Sequence, residues 1–240
     1  MLIPSEQDFA QAVALWREWN GRINVISRKD EDNIFAHHIL HSLAIAQYLE
    51  LYYPSATGKG PVSDPQWADC TGIARPKACP KGDYLQPKEP GTSVLDVGTG
   101  GGFPGIPLAM VMPWAKFTLC DSIGKKVKVA QAVSDGLGLQ NVECVNARVE
   151  SLPGQWDWVV SRAVTSLENF YPWVKGRFRR SILYLKGGDI DTEIAVLRKK
   201  YHIPTANIRT WRIDSWLKDE YFAEKFVIEI GKDYLCPPKF

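Results

Sequence analysis

Asp96-Val97-Gly98-Thr99-Gly100-Gly101-Gly102-Phe103-Pro104-Gly105 follows directly on the apolar run Ser93-Val94-Leu95. An apolar run closing in a glycine-rich bend reads as the first strand of a doubly wound sheet, where ligands bind at the carboxyl ends of the strands. Glycine admits dihedrals closed to other residues and lets a ligand approach the backbone. Downstream, KFTLCD, VECVNA, WDWVVS and SILYLK are short runs rich in Val, Leu, Ile and aromatics. Helical stretches separate most of them, the clearest over residues 123–137 with Ile123, Val127, Ala130, Val133 and Leu137 on one side. This alternation predicts a parallel sheet with helices on both faces. IRTWRI and KFVIEI, without a clear crossover helix between them, read as an antiparallel pair at the sheet edge.

The bend has two candidate ligands. Gly100, Gly102 and Gly105 match G-x-G-x-x-G, a weak signal for a dinucleotide when it stands alone. The register is poor, because the apolar strand ends at Val97 and a count from Gly98 puts the last glycine of the fingerprint on Phe103. A carboxylate at Asp96 also suits no pyrophosphate. Acid-x-Gly-x-Gly-x-Gly fits a cationic methionine moiety with its ammonium and sulfonium, so S-adenosylmethionine is favoured over a nicotinamide or flavin nucleotide. Asp121 ends the second strand, 23 positions beyond Gly98. There a carboxylate can accept from ribose hydroxyls or cap the helix that follows. Asp157, opening the fourth strand, is read as structural.

Composition narrows the rest. Of 240 residues, 45% are apolar and 23% charged, which excludes wholesale disorder and fibrous repeats. Lys plus Arg number 29 against 27 for Asp plus Glu, too even for a histone-like nucleic-acid binder but compatible with a local basic face. The start MLIPSEQDFA has no secretory pattern, and the longest apolar stretch, residues 106–112, is far below the ~20 residues of a membrane span. Five cysteines without C-x-x-C fit a reducing cytoplasm and no zinc site, with Cys120 and Cys144 as small buried hydrophobes. A cytoplasmic monomer without metal is expected.

Three regions follow: a helical extension over 1–53, a Pro/Gly-rich insertion over 54–92, and the ligand-binding domain over 93–240. Ser5 and Asp8 form a helix-start signal before Phe9, Val13 and Trp16, with Leu15 and Trp19 alongside. A second helical pattern runs from about Asp32 through Ile34, Phe35, Ile39, Leu43, Ala46 and Leu49 and stops near Pro54. Residues 55–92 hold six prolines and five glycines and keep no apolar period, so they read as a mobile surface insertion.

DVGTGGGFPG (96–105) with IPLA, DSIGKK (121–126), NARVE (146–150) and SRA (161–163) resemble the RsmG (GidB) family of bacterial small-subunit ribosomal RNA guanine-N7 methyltransferases. The lead-in WNGRINVISRKD and HHILHSLAI resembles its helical start, although His37 and His41 stand where Arg and Asp are common, and the insertion lengthens a usually short connection. The resemblance implies an α/β, Rossmann-like class I methyltransferase fold with a mostly parallel seven-stranded sheet. It implies that Gly98 and Phe103 line the methionine and ribose part of an S-adenosylmethionine pocket; Gly100 of the same bend and Asp121 are expected to join them in binding the cofactor. Val149 and Glu150 would flank the adenine. Arg162 would pair with the methionine carboxylate or an RNA phosphate. The implied substrate is 16S ribosomal RNA or a small-subunit particle.

Guanine N7 bears a lone pair and no proton, so its methylation needs no general base. No nucleophile–base pair stands out, and His37, His38, His41 and His202 lie outside the cofactor bends in the sequence. For the RNA, Lys175, Arg177, Arg179, Arg180 and Lys186, with Trp173, Phe178 and Tyr184 interleaved, offer phosphate contacts and stacking surfaces. Lys125, Lys126 and Lys128 form a second basic patch near the bend.

Overall fold

The computed structural model describes residues 3–53 and 91–232. The insertion over 54–90, with Cys70 and Cys79, lies outside the described residues. Seven strands form one sheet in the order β3-β2-β1-β4-β5-β7-β6: β1 Ser93–Val97, β2 Lys116–Asp121, β3 Val142–Asn146, β4 Trp156–Arg162, β5 Phe178–Gly187, β6 Ile208–Arg212 and β7 Lys225–Gly231. β1 to β5 are parallel, and β7 is antiparallel to both β5 and β6. The antiparallel pair expected at the edge is present, with β7 inserted ahead of β6. The order reverses between β1 and β4, so the crevice at the carboxyl ends of these two strands is the switch point of the sheet.

Both faces of the sheet are covered, which explains why its strands read as continuous apolar runs rather than as alternating ones. Val94, Phe117, Leu119, Trp158, Leu183 and Val227 fill one core, and Leu95, Val97, Val159, Ile182, Tyr184 and Ile228 the other. Helices α5 (Leu167–Val174) and α6 (Ile190–Tyr201) contribute Leu167, Phe170 and Leu197 to the second core. The first core takes α3 (Gly105–Val111) and α4 (Gly124–Gly136) through Ile106, Leu108, Val129 and Val133.

The amino-terminal helices complete that first core. The Ser5 amide donates to Asp8 Oδ2 at 2.9 Å, and a 3-10 turn leads into α1 (Ala10–Asn20), which buries Val13 and Trp16. The second helical segment is irregular at its start. A 3-10 turn, Arg28–Asn33, precedes a π-helical stretch, Ile34–Leu40, before α2 (His41–Tyr52) becomes regular. Of its expected apolar set, Ile34, Ile39, Leu43, Ala46 and Leu49 are buried and Phe35 is partly buried. Among the described residues no helix is long and apolar enough to cross a membrane.

A polar latch fixes α2 to the sheet. Glu229 of β7 is fully buried, and its carboxylate accepts from Tyr48 and Tyr53 hydroxyls at 2.5 Å each and from Ser181 Oγ at 2.7 Å, with Arg209 at 3.6 Å. Such a cluster holds only while each donor is present, because a buried acceptor that loses its partner carries the desolvation cost alone. Tyr48→Phe is therefore expected to cost about 1.5–3 kcal/mol, the range for a hydrogen bond to a charged group, in a denaturant melt. An unchanged midpoint would show that the latch contributes nothing.

Candidate functional site

From Val97 the chain turns through Gly98 (φ +70), Gly100 (φ +57) and Gly102 (φ +106) before α3 starts at Gly105. Asp96 shapes this bend. Its side chain is fully buried, and Oδ2 accepts from Thr99 Oγ1 at 2.6 Å and from the Gly105 amide at 2.8 Å. A Cβ at Gly105 would stand 2.7 Å from that same oxygen and 2.8 Å from buried Leu119 Cγ, so only glycine allows the closure. This corrects the sequence reading in which Asp96 meets a cationic ligand directly: its donors belong to the bend itself. Asp96 Oδ1 is buried with no partner among the described residues. Burial drives the carboxyl pKa up to about 7 against the pull of its Thr99 and Gly105 hydrogen bonds.

Asp121, at the carboxyl end of β2, bonds the backbone with both of its oxygens. Oδ2 accepts from the Gly100 amide at 2.9 Å, and Oδ1 from the Ile123 amide at 2.8 Å as α4 begins. Each oxygen keeps a further lone pair. Asn146, ending β3, donates from Nδ2 to the Asp121 carbonyl at 2.9 Å. Beyond it Val149 is buried while Glu150 is exposed. After β4, Ala163 sits in the left-handed region (φ +45), an uncommon conformation for a side chain with Cβ. The Tyr184 hydroxyl supports the following residues, accepting from the Val164 and Thr165 amides at 2.9 and 3.1 Å. Val164 is thereby set against Gly98, where a Cβ would lie 2.8 Å from its Cγ1.

The amino-terminal extension forms a wall of the same crevice. Trp16 Nε1 donates to the Gly101 carbonyl at 2.7 Å, and its indole stacks on Phe103 with centroids 4.2 Å apart. Val25 packs against Gly101. On the other side of Phe103, the half-buried Arg162 guanidinium lies 5.0 Å from the ring centroid. Arg162 Nη2 is 3.0 Å from His38 Nδ1, and His38 Nε2 is 2.7 Å from Asp30 Oδ2. Asp30 Oδ1 meets His37 Nδ1 at 2.5 Å, and the His37 ring stacks on Tyr221 at 3.6 Å. Burial, with the Arg162 charge beside it, lowers the His38 pKa to about 4 despite Asp30. The imidazole is therefore neutral at neutral pH, with both nitrogens engaged.

His38 thus stands against the bend, packed near Phe103 and bonded to Arg162, although the sequence places it outside. The bond joining His38 to Arg162 spans 124 positions, and no local pattern announces it. The spacing of Asp30 from His37 and His38, about two helical turns, was the one signal available.

The structure brings together Gly98, Gly100, Phe103, Asp121 and Arg162 at the carboxyl edge of the sheet. It does not bring there most of the expected RNA contacts. Arg179 and Arg180 open β5, whereas Lys186 lies near its other end, about 23 Å away at ~3.3 Å per residue. At the amino edge Arg177 bonds the carbonyls of Leu152 and Glu150, Arg179 pairs with Asp157 at 3.5 Å, and Arg180 lies over Trp158. Lys175 is exposed. Lys186 donates to the Thr165 carbonyl at 3.0 Å and pairs with Glu193 at 2.8 Å. Phe178 and Tyr184 are core residues, not stacking platforms. Lys125 and Lys128, on the first turns of α4, are exposed at the carboxyl edge.

Comparison with known proteins decides the family. The model described as "rRNA small subunit methyltransferase G" matches residues 81–212. "Ribosomal RNA small subunit methyltransferase G" of Christiangramia forsetii is 39% identical over 234 residues, covering 94% of this chain and 90% of the relative. The protein of that name in Porphyromonas gingivalis is 38% identical, covering 92% and 85%. The chain belongs to the rRNA small subunit methyltransferase G family. A solved structure of magnesium protoporphyrin IX methyltransferase from Synechocystis PCC 6803 with bound SAM aligns at TM-score 0.55 and 13% identity, over 97% of this chain and 100% of that one, and shares its fold. The Rossmann-like methyltransferase architecture expected of this RsmG-family chain is the one observed.

Asp96 gives this site a measurable pH signature. Its folded pKa lies above the unfolded value near 3.8, so the native state holds the proton more tightly. That stabilisation is full at low pH and is lost as pH rises from about 4 through about 7. Asp96→Asn removes the titration, and its melting midpoint is expected to gain on wild type by at least about 4 °C between pH 4 and pH 8. A constant difference across this range would show that the carboxyl does not titrate there.

Proposed function

We propose that this chain transfers the methyl group of S-adenosylmethionine to N7 of a guanine in 16S ribosomal RNA, acting in the cytoplasm as a monomer on the RNA or on a small-subunit particle. The observation that carries the reading is the intact bend under an aromatic and cationic wall, in a chain matched to RsmG relatives along nearly its whole length. The cofactor fits the donors present. Arg162 is a half-buried cation with no carboxylate in ion-pair range among the described residues, as a methionine carboxylate requires. Asp121 has lone pairs left for ribose hydroxyls, and open space lies beside Gly100. Gly98, Gly100, Phe103, Asp121, Val149, Glu150 and Arg162 hold the cofactor in this reading.

When bound, S-adenosylmethionine supplies a methyl group on a sulfonium, an electrophile that needs no further activation. The carbon–sulfur bond breaks as the N7–carbon bond forms, and positive charge moves from sulfur to the base. No proton moves. His38 agrees with a base-free reaction, because both of its ring nitrogens are already engaged. The protein contributes alignment, worth ~7–11 kcal/mol when reactants are held in attack geometry.

N7 faces the major groove, which in A-form RNA is too deep and narrow for side chains. The target guanine is therefore unpaired or extruded from its stack. RNA approaches over the carboxyl edge, flanked by exposed Lys125 and Lys128, rather than over the arginines opening β5.

Mapping N7-methylguanine in 16S RNA incubated with the protein and S-adenosylmethionine tests the reading. One modified, unpaired guanine is expected, with weaker RNA binding and a flatter salt dependence for the Lys125→Glu, Lys128→Glu pair. No methylated guanine, or efficient methylation of a fully paired duplex, would overturn it.

A further inference from the structure

Arg162 is an unusual cation to bury. A guanidinium carries five N–H donors, and one of its terminal nitrogens lies 3.0 Å from His38 Nδ1. The guanidinium also lies over Phe103, 5.0 Å from the ring centroid. Two acids stand nearby and neither pairs with it directly: Asp96 gives Oδ2 to Thr99 and Gly105, and Asp30 spends its oxygens on His37 and His38 and meets Arg162 through the imidazole. A carboxylate placed directly on Arg162 would fix it and also neutralise it. A neutral imidazole between them fixes it and leaves its charge for an incoming anion.

We propose that His38, held by Asp30, is the positioning residue for Arg162, and that it aims the guanidinium at the carboxylate of bound S-adenosylmethionine. The proposal rests on the cofactor reading of the site. The protonation pattern follows from the partners. Asp30, an acceptor, receives a hydrogen bond from Nε2–H of His38, so the Nδ1 lone pair faces Arg162. Burial tends to raise the Asp30 pKa, and the hydrogen bonds from His37 and His38 overcome it and keep it lowered. His37 carries the hold outward, stacked on Tyr221, over whose ring Lys225 Nζ lies 3.4 Å from the centroid. An arginine side chain has many rotamers, and a prearranged guanidinium need not lose that freedom on meeting its anion. The extension over residues 3–53 thereby acts in cofactor recognition, with no contact of His38 to the cofactor itself.

Two near-isosteric variants separate the roles of the ring nitrogens. Asparagine places an amide oxygen near the position of Nδ1 and keeps an acceptor for Arg162. Glutamine places its amide near Nε2, keeping the partner of Asp30 and losing that acceptor. Calorimetry with S-adenosylhomocysteine, steady-state kinetics and melting midpoints are measured for wild type, His38→Asn, His38→Gln, Arg162→Ala and the double variant H38Q/R162A. For His38→Gln, about tenfold weaker binding and a KM for S-adenosylmethionine raised by a similar factor are expected, with kcat and the melting midpoint nearly kept. His38→Asn restores most of the affinity, and His38→Gln adds nothing in the Arg162→Ala background. Additive losses in the double variant, equal losses in both His38 variants, or a raised KM for RNA with cofactor affinity unchanged would overturn the positioning role. Failure of wild type to bind S-adenosylhomocysteine would instead remove the cofactor reading beneath it.

Discussion

Two hydrogen bonds to one oxygen of Asp96, from the Thr99 hydroxyl and the Gly105 amide, close the first βα bend, and the geometry of the crevice follows from that closure. They bring the start of α3 back to the end of β1, with Gly98 and Gly100 partly open between them and Gly101 and Gly102 buried against Val25 and Ile106. Asp121 then ties the bend to β2 through the Gly100 amide. Trp16 ties it to the amino-terminal extension through the Gly101 carbonyl. A buried carboxylate is costly unless bonded, so this arrangement concentrates a strained, polar feature where a ligand is to be met and surrounds it with apolar packing elsewhere.

Much of the fold is legible in the sequence because its signals are local. Strand runs alternating with helical ones give a parallel sheet, and glycines after Val97 mark the switch point. The carboxylate-led bend was found for a partly mistaken reason. Asp96 does belong to it, but the sequence cannot show that its donors lie three and nine residues on rather than in a ligand. The basic run after Lys175 is divided between the two edges of the sheet for a geometric reason. A strand advances ~3.3 Å per residue, so Arg179 and Lys186, close in the chain, stand at opposite edges of the sheet. The aromatics among them, Phe178 and Tyr184, fill the second core. His38 was passed over because its decisive contact is with Arg162, far along the chain.

The extension therefore does more than cover a sheet face. Through Glu229 it is latched to β7, through Trp16 and Phe103 it stacks on the bend, and through Asp30 and His38 it reaches Arg162. A small aromatic and cationic wall results, in which both ring nitrogens of His38 are engaged. That combination suits transfer to a nucleophile that carries no proton, where alignment and tolerance of a moving positive charge matter more than acid–base chemistry.

The central claim is that the bend closed by Asp96 receives S-adenosylmethionine. A crystal structure with S-adenosylhomocysteine tests it most directly. The account predicts the methionine carboxylate at Arg162, the ribose at Asp121 and the sulfur beside Gly98. Ligand bound elsewhere, or none at saturating concentration, would contradict it.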